Sequence, residues 1–220
     1  MTMEQSTGVI RYRWVVFLLA AFYFTYGFIG TDHNFVGWQY RYLTNWAMTL
    51  STISAFLMLQ RSLGRRDQRH EVLASATMVI NFMVVLLYWK IYLSDPTQFY
   101  VDGVRTSPAW QEYYLHLLGP VLQWIDALFI LGTFRHIKKT IGLAVSITLI
   151  YVVWIEGIVS PFNASPIGSV TTGLPYRFLN NLELADRGMF YIQNIAVAVI
   201  MALVFSALSR VLRKLNLAPK

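Results

Sequence analysis

Residues 72–93, "VLASATMVINFMVVLLYWKIYL", decide the fold. Only one amide, Asn81, and one charge, Lys90, interrupt this apolar run. A helix of about 20 apolar residues crosses the hydrocarbon core of a bilayer, so the run predicts a membrane-spanning helix. Working outward, five more segments meet the same requirement: 12–31, 42–60, 111–134, 140–160 and 188–209. Between them lie polar breaks: "GTDHNF", "SLGRRDQRHE", "SDPTQFYVDGVRTSPAW", "RHIKK" and the Pro/Gly/Ser/Thr-rich stretch 161–187. The expected architecture is an all-α integral membrane protein: one domain over residues 1–220, built as a six-helix bundle.

Composition agrees. The 220 residues are 56% hydrophobic, 15% aromatic and only 13% charged, where a soluble domain carries about twice that charged fraction. Mean hydropathy is +0.47. There is no cysteine, which removes disulfides, thiolate metal sites and cysteine nucleophiles. The first apolar run follows an acid-bearing tail and lacks a small-residue cleavage site, so it reads as a retained helix and not a signal peptide.

Basic residues set the expected orientation. Thirteen of the eighteen Lys and Arg fall in the N-terminal tail, the second and fourth connections and the C-terminal tail. The positive-inside rule then places both termini in the cytoplasm. The net charge of +7 is explained by this clustering, and "RRDQRH" reads as an orientation signal facing anionic head groups; no nucleic-acid partner is expected.

Polar residues inside spans point to function, because a charge at mid-bilayer costs at least a few kcal/mol. The candidates are Thr44 and Asn45 in the second span, Asn81 in the third, His116, Gln123 and Asp126 in the fourth, Glu156 in the fifth and Asn194 in the sixth. Lys90, Thr44, His116, Glu156 and Asn194 are expected to share one layer near the outer leaflet.

His116 is the one histidine within a span. That argues against a bis-histidine haem, and no second ligand stands at metal spacing; neither metal nor cofactor is expected. A lone membrane histidine either hydrogen-bonds across helices or acts as a base. "RYLTNWAMTL", residues 41–50, poses a similar choice: Thr44 is either a helix cap or a nucleophile activated by a nearby base. Gly119 and Pro120 are expected to loosen the fourth span beside His116. Gln123, on the same face, is a candidate to orient the imidazole, and Glu156 another. Asn45, Asn81 and Asn194 are candidate donors to an oxyanion.

The pieces "RYLTNW", "YYLHLLGPVL" and "GLPYRFLNN", in this order at corresponding helix ends, resemble the androgen-induced and androgen-dependent transmembrane proteins. These are six-span hydrolases of fatty acid esters of hydroxy fatty acids. The resemblance implies that Thr44 and His116 form a catalytic threonine–histidine pair acting on an amphiphilic lipid ester among membrane lipids. "TNW" looks more like the bacterial six-span relatives, which implies a bacterial inner membrane in preference to a eukaryotic endomembrane or plasma membrane. The 161–187 connection, through Tyr176, Arg177 and Phe178, is expected to form a lid, with Arg177 meeting a substrate carboxylate. The alternatives are a small transporter or lipid-binding protein using the same polar layer, in which a homodimer would make up for small size, and an assembly role with the polar residues as interhelical glue.

Overall fold

The computed structural model describes residues 5–31, 33–101, 104–105, 107–164 and 173–219. Six long helices dominate: α1 (Thr7–Ile29), α2 (Leu43–Ser62), α3 (Glu71–Ser94), α4 (Ala109–Leu131), α5 (Ile137–Phe162) and α6 (Leu184–Lys214). A two-residue antiparallel pair, β1 (Tyr100–Val101) and β2 (Val104–Arg105), lies between α3 and α4. A single helical turn, Arg177–Asn180, precedes α6.

Five of the six are long and apolar enough to cross a membrane. The exception is α2. Its 20 residues have the length, but Thr44, Asn45, Thr49, Ser51, Thr52 and Ser54 dilute its apolarity. Helix ends also differ from expectation. α1 begins five residues earlier, behind the side-chain cap of Ser6 on Val9 N. α6 runs to Lys214, beyond the expected 209, because basic residues at a helix C-terminus complement its dipole and prolong it into the polar region.

α3 is the central helix. About three-fifths of its apolar window is buried, against 17% for α1 and for α5. Its run Ala74-Ser75-Ala76-Thr77 is entirely buried, and small residues of this kind let helix backbones approach closely. Met78, Val79, Ile80 and Met83 of α3 pack in one cluster with Ala47, Ala144, Ala198 and Ala202 from α2, α5 and α6.

Two ends of the bundle differ in character. At one, α4 stops at Gly132, which takes a left-handed φ of +66°; a Cβ there would meet the Pro219 carbonyl at 2.7 Å. The released carbonyls of this helix end are taken by arginines from three segments. Arg69 donates to Leu131 O, Arg135 Nε to Gly132 O at 3.1 Å, and Arg213 Nη1 to Thr133 O at 2.8 Å. Buried Glu71 accepts from the Arg135 backbone N–H.

Arg13, counted by sequence with the N-terminal tail, is instead inside α1 and 1% exposed. Its guanidinium grips Asp126 of α4 in a two-pronged pair, Nε–Oδ2 at 2.9 Å and Nη2–Oδ1 at 2.7 Å. It also reaches Ser62 Oγ at 2.8 Å and Met58 O at 3.0 Å on α2. Three helices are thereby tied at one point.

At the other end the helices part around a cavity. Gly37 turns the α1–α2 connection with φ +88°, where a Cβ would press on Val159 Cγ2 at 2.9 Å. A single 3-10 turn, Trp38–Arg41, then leads into α2.

Candidate active site

Thr44 is the second residue of α2. The cap position belongs to Tyr42, which makes no side-chain cap bond, and the first helical N–H, that of Leu43, is satisfied by the Tyr176 hydroxyl at 3.1 Å. Thr44 is therefore not the cap. Its hydroxyl instead lies 3.3 Å from His116 Nε2 on α4.

α4 delivers His116 through a local irregularity. Residues Tyr114–Leu118 form one π-helical turn, followed at once by Gly119 and Pro120. Proline lacks the N–H that would bond the carbonyl four residues back, here that of His116. The indole of Trp89 on α3 supplies a donor to that carbonyl, Nε1 to O at 2.9 Å. Asp126 and Glu156 also fall in π turns, Asp126–Leu131 and Ile155–Val159. Such turns recur at functional sites, and here all three hold in-span ionisable residues.

Both nitrogens and one face of the imidazole have partners. Its Nδ1 lies 3.0 Å from the Glu112 carbonyl and 3.2 Å from Glu112 Oε2, one turn back on α4. The Tyr88 ring stacks on it, centroids 3.7 Å apart and planes 7° from parallel. The hydroxyls of Ser107 and Tyr88 in turn hydrogen-bond the Glu112 carboxyl. Because a carbonyl only accepts, Nδ1 must carry the proton of the neutral ring, which leaves Nε2 as the acceptor facing Thr44.

Thr44 and His116 sit on the wall of a cavity of about 910 Å³, near the upper end of the range usual for small-molecule sites. It is bounded by the ends of all six long helices and by the connection before α6. Asn45 and Asn194 line it, Asn45 also donating to Gln39 O at 2.8 Å and Asn194 to Phe190 O at 2.7 Å. Tyr176, Arg177 and Phe178 line it too, and Arg177 is exposed. Burial raises the pKa of the Tyr176 hydroxyl, keeping it a neutral partner for Leu43 N. Of the expected lid, residues 165–172 lie outside the described residues.

Several expectations are corrected. Glu156 does not orient His116; it accepts from Arg187 Nε at 2.9 Å and Tyr191 Oη at 2.6 Å, and Glu112 occupies the place beside the imidazole. Gln123 points below the pair and donates to Ser51 O at 3.1 Å. Asn81 is about two turns deeper than the pair, donating to Ser51 Oγ at 2.9 Å, and lines a separate small void under Thr44 and not the large cavity. Lys90 is exposed on the outside of α3 and does not join the polar layer. Glu112, Tyr88 and Trp89 were not among the sequence candidates. The signal for Glu112 was present in its spacing, four residues before His116 on one helix face.

Five helices long and apolar enough to cross a membrane, packed around a cavity with a hydroxyl against an imidazole in its wall, define an all-helical membrane protein. The family model described as FAR-17a/AIG1-like protein matches residues 10–212. The chain belongs to that family, the androgen-induced gene 1 family. No curated protein and no solved structure matches it.

Proposed function

We propose that the protein is an intramembrane hydrolase that cleaves a lipid ester, such as a fatty acid ester of a hydroxy fatty acid, with Thr44 as nucleophile and His116 as general base. The observation that carries this reading is the 3.3 Å contact between Thr44 Oγ1 and His116 Nε2 on the cavity wall. Thr44 attacks the ester carbonyl while Nε2 takes its proton. The leaving alcohol recovers that proton, and water then releases the acyl group from Thr44 by the same route. Asn45, adjacent to the nucleophile, and Asn194 across the cavity are the candidate donors to the oxyanion. Family membership is consistent with such chemistry.

In this reading α2 is a sixth span, its polar residues turned to partners within the bundle. The arginine-capped end faces the cytoplasm, so the cavity lies in the outer leaflet, and the membrane is a bacterial inner membrane. An amphiphilic substrate enters sideways, chains in lipid and ester at the polar lip, with Arg177 available to a carboxylate.

The test uses the purified chain in detergent with a lipid ester and a hydrolase-directed phosphonate probe. Thr44→Ala and His116→Ala each abolish turnover and labelling, and the double variant is no worse, as expected for groups acting as a unit. Thr44→Ser keeps part of the activity. Full turnover by Thr44→Ala sinks the proposal.

A further inference from the structure

We infer that Glu112 is a positioning residue for His116, forming with it and Thr44 a carboxylate–imidazole–hydroxyl relay; the inference rests on the hydrolase reading above. Two acceptors face His116 Nδ1, the Glu112 carbonyl at 3.0 Å and the Glu112 carboxylate at 3.2 Å. The carbonyl is enough to fix the tautomer. What it cannot do is offset the positive charge that the ring gains when Nε2 takes the Thr44 proton. A buried carboxylate alongside does this, as in hydrolase triads.

The surroundings suit that task. The Glu112 side chain is only 11% exposed. Tyr88 holds both partners at once, its ring stacked on the imidazole and its hydroxyl on the Glu112 carboxyl. Ser107 donates a further hydrogen bond to the carboxyl. Tyr88 and Ser107 are neutral hydrogen-bond donors, so the charge that Glu112 meets here is that of the His116 ring once it is protonated.

The step balances without any proton passing to Glu112. The Thr44 O–H bond breaks, its proton forms a bond to Nε2, and Oγ1 bonds the ester carbon as the carbonyl pair moves onto oxygen. Collapse expels the alkoxide, which takes the proton from Nε2. Glu112 stays ionised throughout and exchanges nothing. A competing, purely structural role exists, because an acid in the first turn of α4 favours the helix dipole. That role affects stability and leaves turnover of the folded protein alone.

The experiment compares full-length Glu112→Gln, Glu112→Asp and wild type on a long-chain p-nitrophenyl ester. Exchanging a triad carboxylate for its amide costs about 10⁴ in kcat where it upsets the tautomer; here the backbone carbonyl keeps the tautomer, so about 10²-fold is expected. KM and the melting temperature stay near wild type, and Glu112→Asp restores part of kcat. A second variant, Tyr88→Phe, keeps the ring stack and removes only the hydroxyl on Glu112. It is expected to lower kcat severalfold at unchanged KM, and it serves where Glu112→Gln folds poorly. If the Glu112 and Tyr88 variants keep kcat within about threefold while Thr44→Ala and His116→Ala are inactive, the relay is overturned and the hydrolase stands. If Thr44→Ala and His116→Ala also turn over the ester, the hydrolase reading itself is lost.

Discussion

The indole of Trp89 donates to the backbone carbonyl of His116 at 2.9 Å, the carbonyl that Pro120 cannot serve. A helix defect on α4 is thus closed by a side chain of α3, at the very residue whose imidazole faces Thr44. Trp89→Phe keeps most of the ring and loses the donor. About 1 kcal/mol of stability should go with the hydrogen bond, lowering the melting temperature by about 2–4 °C. Because the turn carrying His116 loosens, kcat should fall further than KM rises. Thermal unfolding in detergent and steady-state kinetics on the same sample measure both.

Arg13 and Asp126 should behave as an obligate pair. Removing one leaves the other charge buried, which costs about 3–5 kcal/mol. Arg13→Met and Asp126→Leu should each expose the protein to protease at temperatures where wild type is resistant. The double variant should recover most of the loss, since two apolar side chains leave no orphan charge. Singles as stable as wild type would mean that water reaches the pair.

Arg177→Ala should raise KM for an acidic lipid ester far more than for its methyl ester, because only the former offers a carboxylate to the guanidinium. Equal effects on both esters would leave Arg177 as an interfacial anchor and no more.

Orientation is testable in a chain without cysteine. Ser94 and Arg66 are exposed near opposite ends of α3. Ser94→Cys should react with an impermeant thiol reagent added outside intact cells, and Arg66→Cys only after permeabilisation. The reverse pattern would put the cavity in the inner leaflet.

The helices were legible because apolar runs and polar breaks are local properties of the chain. Thr44 and His116 could be picked out as polar groups of similar depth, but their contact joins residues 72 apart and depends on how α2 and α4 pack. Arg13 misled for a related reason. A basic residue near a polar tail looks like a topology marker until its partner, 113 residues away, is known. Glu156 stands out by its depth in the fifth span, whereas Glu112 carries its signal in the four-residue spacing from His116. Tyr88 carries no such mark, since stacking has no signature in spacing.

The arginines that close the end of α4 have a mechanical consequence. Arg69, Arg135 and Arg213 hold the carbonyls of Leu131, Gly132 and Thr133 where α4 ends, so splaying the helices there would break these bonds. Any widening that admits a lipid must come from tilting about this fixed base, and the rim swings against the surrounding acyl chains. Turnover should therefore respond to the lateral pressure of the bilayer, falling in tightly packed saturated membranes and rising in loosely packed ones at equal substrate density.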